Sequence, residues 1–152
     1  MGWFYGFKLH LVINIHGEIN GFHVTPGNVS DCNQHVVKSI TKNILGKLFG
    51  DKGYLSQKLF MDLYQQGITL ITKLKKNMKN KLMNFYDKLL LKKRGVIESV
   101  NNVLKNGCML EHSRHRSIAN FFVNIFSALN AYSFIKSKPS IKCVDITLIS
   151  NN

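Results

Sequence analysis

The stretch LGKLFGDKGYLSQKLFMDLYQQGITLIT, residues 45–72, decides the fold. It opens on a short apolar run, Leu45 to Phe49, that ends at Gly50-Asp51. A helix then follows from Ser56 to Gln66 through Leu59, Phe60 and Leu63, and Gly67 ends it. Ile68 to Thr72 is β-branched and nearly continuous, as expected of a strand buried on both faces within a parallel portion of a sheet. Strand, helix and strand in that order predict an α/β layer with Asp51 at the carboxyl end of its first strand.

Upstream, Trp3 to Ile15 is rich in aromatic and β-branched residues. Phe7, Leu9, Leu11 and Ile13 alternate against Lys8, His10 and Asn14, which is the period-two pattern of a strand. The chain turns at His16-Gly17, and Glu18 to Thr25 is placed to pair antiparallel with the first run. Gly17 supplies the left-handed position such a turn needs. Thr25-Pro26-Gly27-Asn28 breaks the sheet, and Ser30 or Asp31 is expected to cap a helix carrying Val36, Val37, Ile40, Ile44 and Leu45. The whole order is two strands in a hairpin, then helix, strand, helix and strand: a mixed sheet with helices on its faces.

Downstream the character changes. Lys73 to Lys93 carries eight lysines against the single acid Asp87. It reads either as a solvated linker or as a strip whose lysines, Lys75 and Lys76 among them, contact phosphates without reading bases. Val96, Ile97, Val100, Val103 and Leu104 then give one helical stripe. From about Ser117 a second stripe runs through Ile118, Phe121, Phe122, Ile125, Phe126, Leu129 and Tyr132, and is read as core. Periodicity fades after Pro139, so residues 1–138 are taken as one domain and 139–152 as a C-terminal tail.

With 152 residues, 45% of them hydrophobic, the chain is long enough to bury a core. Its formal net charge of +13 is the footprint of a protein whose partner is a polyanion, nucleic acid first. No run reaches the roughly 20 apolar residues of a membrane-spanning helix, and no signal-peptide pattern follows Met1, so a soluble, cytoplasmic protein with no membrane partner is expected. Cys32, Cys108 and Cys143 form no paired spacing, which argues for free thiols in a reducing compartment. His112 and His115 lack a second ligand pair at zinc-finger spacing.

Eight acids exhaust the carboxylates available to a metal site: Glu18, Asp31, Asp51, Asp62, Asp87, Glu98, Glu111 and Asp145. Asp51 stands out, because ligands gather at the carboxyl ends of strands in open α/β sheets, although a turn aspartate before Lys52-Gly53 would look the same. Glu98 admits a surface pair with Arg94 one helical turn earlier, or service as a hard oxygen ligand for Mg²⁺. Lys105 lies two helical turns further on, where a cation can hold a DNA phosphate.

Four segments in order, Trp3-Phe4-Tyr5-Gly6-Phe7-Lys8-Leu9-His10, Thr25-Pro26-Gly27-Asn28-Val29, Gly50-Asp51-Lys52-Gly53-Tyr54 and Arg94-x-x-x-Glu98-x-x-x-x-x-x-Lys105, closely resemble bacterial insertion-sequence transposases of the DDE type. The resemblance runs from Trp3 to about Tyr132. It implies an RNase H-like mixed sheet with flanking helices, two Mg²⁺ ions, and hydroxyl-driven cutting and joining of transposon-end DNA. Asp51 would be the second acid of the triad and Glu98 the third, both metal ligands, with Arg94 and Lys105 as basic companions on the DNA. The family's tyrosine position is Leu91 here. The family's first aspartate lies on a strand before the Trp-Phe-Tyr-Gly-Phe-Lys-Leu-His strand, and only Met1 and Gly2 precede Trp3, so an N-terminally truncated sheet with its first strand missing is expected.

Three functions follow from that resemblance. The first is a transposase fragment, inactive alone for want of the first aspartate. The second restores activity through a separate N-terminal fragment that supplies it, with homo-oligomers as a further partner. The third is a non-catalytic basic DNA-binding module that competes with full-length transposase.

Overall fold

Alternation in the N-terminal run becomes strand β1 (Phe7–Ile13), which pairs with β2 (Ile19–Pro26) across a short loop. In this computed structural model the described residues are 6–54, 56–73, 83–111 and 117–141. Asn14 shapes the loop, its side-chain oxygen accepting from the backbone N–H groups of His16 and Glu18. The period-two reading holds, but the deeper face is the opposite one. His10 and Val12 are buried, whereas Phe7 is exposed and Leu9 and Leu11 are half-buried. A polar residue can take the inner position because His10 Nε2 lies 2.9 Å from the equally buried Thr25 hydroxyl, so neither group is left unsatisfied.

The helix after the Pro26-Gly27 turn starts later than the sequence suggests. Helix α1 (Gln34–Thr41) is capped by Asn33, whose side chain accepts from the N–H groups of His35 and Val36. Ser30 and Asp31 are used elsewhere. Ser30 accepts from the N–H of Cys32, and Asp31 pairs with Lys8 at 3.4 Å. Ile44 and Leu45 fall beyond the helix, and Leu45 is exposed.

The deciding stretch folds as read. Strand β3 (Gly46–Gly50) and strand β4 (Ile68–Thr72) pair in parallel, with Gly46 opposite Ile68 and Gly50 opposite Thr72. Between them helix α2 (Gln57–Gln65) starts on the Ser56 cap, and Leu59 and Leu63 pack with Val37 and Ile68 into a cluster at most 2% exposed. Burial of β4 on both faces is incomplete, since Thr69 is exposed. Among the described residues the sheets are two ladders of two strands, β1 with β2 and β3 with β4.

One helix escaped the sequence reading. Helix α3 (Phe85–Lys93) lies within the supposed Lys-rich linker, begins at an Asn84 cap, and buries Leu90 and Leu91. It packs on β3 and β4, and Asp87, the single acid of the Lys-rich segment, holds Lys47 of β3 at 2.7 Å. Leu91 is therefore a core residue, which explains an apolar side chain there. Helix α4 (Val96–Asn102) runs on into a π-helical turn, Val103–Gly107, and Val100 and Leu104 are buried. Helix α5 (Ile118–Ser133) follows Ser117 as expected. Its stripe is only partly core: Ile125, Leu129 and Tyr132 are buried, but Ile118 and Phe126 are more than half exposed.

The chain forms two compact units, one comprising residues up to 12 and 19–94, the other 13–18 and 95 onward. In the first, Gly21 lets α1 lie close on β2, because a methyl group there would come within 2.2 Å of the Ile40 carbonyl oxygen. In the second, Tyr132 donates from its buried hydroxyl to the Gly17 carbonyl at 2.7 Å. Gly17 has φ of +76°, and an added Cβ would lie 2.0 Å from the Pro139 carbonyl oxygen. Gly21→Ala and Gly17→Ala are each expected to cost about 1 to 3 kcal/mol through such overlap. In urea unfolding both midpoints fall, whereas Gly53→Ala, with open space around its Cβ position, leaves the midpoint within error of the parent.

Candidate functional site

Asp51 follows the last residue of β3, where the chain leaves the sheet and enters a 3₁₀ turn, Lys52–Tyr54. Its Oδ1 accepts from the Lys52 N–H at 2.7 Å, and its carbonyl accepts from the Tyr54 N–H at 3.0 Å. Both readings of this residue therefore meet in one place: it is a turn aspartate, and it presents a 60% exposed carboxylate at the carboxyl end of a parallel strand.

Arg94 completes the local arrangement. It follows α3, and its Nη2 lies 3.1 Å from Asp51 Oδ1 within the first unit. Helix α3, anchored on β3 through Asp87 and Lys47, is what carries Arg94 to the strand end. Lys105 pairs with Glu111 at 2.5 Å within the second unit. It lies on the π-helical turn, and π-turns are rare and concentrate at functional sites. Glu98 is exposed in the first turn of α4, also in the second unit. Lys75 and Lys76 lie outside the described residues.

Several side chains brace the loops around Asp51, and the sequence reading gave them no role. Lys8 donates to the Val29 carbonyl at 2.9 Å and pairs with Asp31, tying β1 to the loop before α1. Cys32 donates from Sγ to the Gly53 carbonyl, so the same loop is tied to the 3₁₀ turn. Tyr54 packs against the cluster of Leu59, Leu63 and Ile68. Burial pushes its phenol pKa up, and the electrostatic influence of Asp31, Cys32 and Asp51 acts in the same direction. These roles were findable in part: Lys8, His10, Thr25, Val29, Gly53 and Tyr54 all stand in the quoted segments.

Among the described residues no three His, Cys, Asp or Glu side chains gather as a metal site would require, and no helix is long and apolar enough to cross a membrane. Asp51 can give a divalent cation one hard oxygen, with Arg94 displaced to do so. Among the described residues no others complete a donor set around it.

Comparison with known proteins fixes the family. The model described as transposase DDE domain matches residues 1–118, so the chain belongs to the DDE transposase family. No curated protein and no solved structure matches the chain.

The buried His10 and Thr25 pair gives this unit a pH dependence. Burial lowers the His10 pKa; Asp31 opposes that, while Lys8 and His23 reinforce it. A histidine held neutral in the fold and titrating near 6.5 when unfolded binds more protons unfolded, so stability is full above that value and declines as pH falls below it. Melting temperature should drop between pH 7 and 5.5, and His10→Gln should flatten that drop. An unchanged slope in the variant would assign the dependence to other groups.

Proposed function

We infer that this chain is a catalytic-domain portion of a DNA transposase with RNase H-like architecture, and that it binds transposon-end DNA. The observation that carries the reading is Asp51 at the carboxyl end of β3 in a chain of the DDE family. Asp51 and Glu98 are the proposed metal ligands, and Arg94, Lys105, Lys75 and Lys76 the proposed DNA contacts. These carboxylates would hold Mg²⁺, which would supply Lewis-acid activation of a water or 3′ hydroxyl and stabilisation of the leaving oxygen. With the donor set incomplete, no cutting step is assigned to the described residues alone.

Arg94 has a double part in this reading. It pairs with Asp51, and an ion pair this exposed contributes only about 0.2 to 1 kcal/mol. A cation or a phosphate therefore displaces it at little cost, after which its guanidinium is available to the DNA backbone. Calorimetric titration of Mg²⁺ should show tighter binding to Arg94→Gln and weaker binding to Asp51→Asn.

The remaining carboxylate is proposed to come from another polypeptide segment. What supports this is that, among the described residues, β1 pairs only with β2 and β3 only with β4, so each ladder keeps outer backbone groups that a further strand could satisfy. The decisive assay mixes the chain, Mg²⁺ and terminal-repeat duplex with or without a polypeptide bearing the family's first aspartate strand. Cleavage is expected only in the mixture, and Asp51→Asn should abolish it. Cleavage by the chain alone, or none in either case, would overturn the complementation reading.

The second reading, a non-catalytic DNA-binding module that competes with intact transposase, is favoured by the net charge of +13 and by the occupation of Asp51 by Arg94. It predicts DNA binding that falls steeply with salt and is unchanged in Asp51→Ala.

A further inference from the structure

Helix α1 has two faces of different chemistry. Val36, Val37, Ile40 and Thr41 face inward, while His35, Lys38, Ser39 and Lys42 follow one another at helical spacing on the outer side. These outer residues, with Asn43 and Gln66, line an open depression of about 650 Å³ in the first unit. Among the described residues no carboxylate lines it. Lys38 shares its charge with Asp62 at 3.3 Å, but among the described residues no acid pairs with Lys42. Cations at the end of a helix also complement its dipole, which accounts for Lys38 and Lys42 on the helix but not for a hollow that adds Asn43 and the far side chain Gln66.

We propose that this depression is a second DNA-backbone site, separate from the Asp51 end of the sheet. His35 and Lys42 are seven residues apart on one helix face, which spans about 10 Å at ~1.5 Å per residue. Successive phosphates of one strand of a duplex advance about 3.4 Å along its axis. A ridge of that length matches a run of phosphates better than one isolated anion. Its position adds to the case. Leu45, on the rim, directly precedes Gly46 at the start of β3, and Gln66 precedes β4 by two residues. Asp51 follows the other end of β3. At ~3.3 Å per strand residue the six steps from Leu45 to Asp51 span about 20 Å, close to six base-pair steps. One duplex can thus touch both ends of the β3–β4 layer, and a contact at the α1 end fixes its register while carrying no sequence information.

This inference rests on the DNA-binding reading above, and one experiment separates the two. Fluorescence anisotropy with the full chain and a labelled 20-base-pair duplex, repeated over a salt series, compares the parent with Lys42→Gln, Lys42→Glu and Lys136→Gln. Lys136 is an exposed lysine of the second unit and serves as the surface control. Loss of one phosphate contact lowers the slope of log K against log salt by about 0.9. Lys42→Gln should show that reduced slope with roughly three- to tenfold weaker binding at low salt, and Lys42→Glu should bind more weakly still. Unchanged far-ultraviolet circular dichroism shows that α1 is intact in the variants. If the parent binds and Lys42→Gln matches Lys136→Gln in slope and affinity, the α1 site is wrong while DNA binding stands. If the parent does not bind duplex at all, both readings fall.

Discussion

Parallel pairing of β3 with β4 is the constraint on which the first unit depends. A parallel ladder cannot be closed by a tight turn, so the chain must leave the end of β3, travel the length of the layer and return. Helix α2 makes that journey, and its Leu59 and Leu63 seal against Val37 and Ile68. Asp51 is where the chain leaves. Its location is thus a consequence of topology: the residue after β3 must sit at the strand's carboxyl end, in the turn that launches α2. Helix α3 then packs on the same two strands and brings Arg94 to that end.

The segments that carry the family resemblance spend much of their side-chain chemistry on one another. His10 meets Thr25, Lys8 meets the Val29 carbonyl, and Arg94 meets Asp51. Gly27 donates its N–H to the Gly6 carbonyl at 2.7 Å. The buried His10 and Thr25 pair is costly to half-complete, since removing one partner strands the other. Family motifs therefore report scaffold as well as chemistry. His10, expected on the polar side of the alternation, is with Val12 an inner residue of β1.

Legibility followed the strength of local patterning. The hairpin with Gly17, the β3–α2–β4 unit with its Ser56 cap, and the Ser117 start of α5 were all visible, because each joins a clear period to a turn or capping residue. Helix α3 was hidden. Its lysines masked Leu90 and Leu91, whose burial depends on contact with strands some twenty residues and more upstream in sequence. The cap of α1 was misplaced for a related reason: Ser30, Asp31 and Asn33 are all good caps, and only the Lys8 pairing shows why Asp31 is otherwise engaged. At the candidate site, Asp51 and its strand-end position were legible. The Arg94 and Lys105 partners were not, because ion pairs between exposed groups leave no trace in sequence spacing. The π-helical turn at Val103–Gly107 was also silent, since it alters backbone bonding without altering the apolar stripe.

The central claim is that the strand-end carboxylate of Asp51 is the point at which this chain takes a divalent cation. Amide NMR with Mn²⁺ as the probe tests it most directly, because a paramagnetic ion broadens only the signals of groups near it. The account predicts that substoichiometric Mn²⁺ broadens the amides of Lys52, Gly53 and Tyr54 first, and that Asp51→Asn removes this effect while the rest of the spectrum is preserved. Broadening centred elsewhere, or the same pattern in Asp51→Asn, would contradict it.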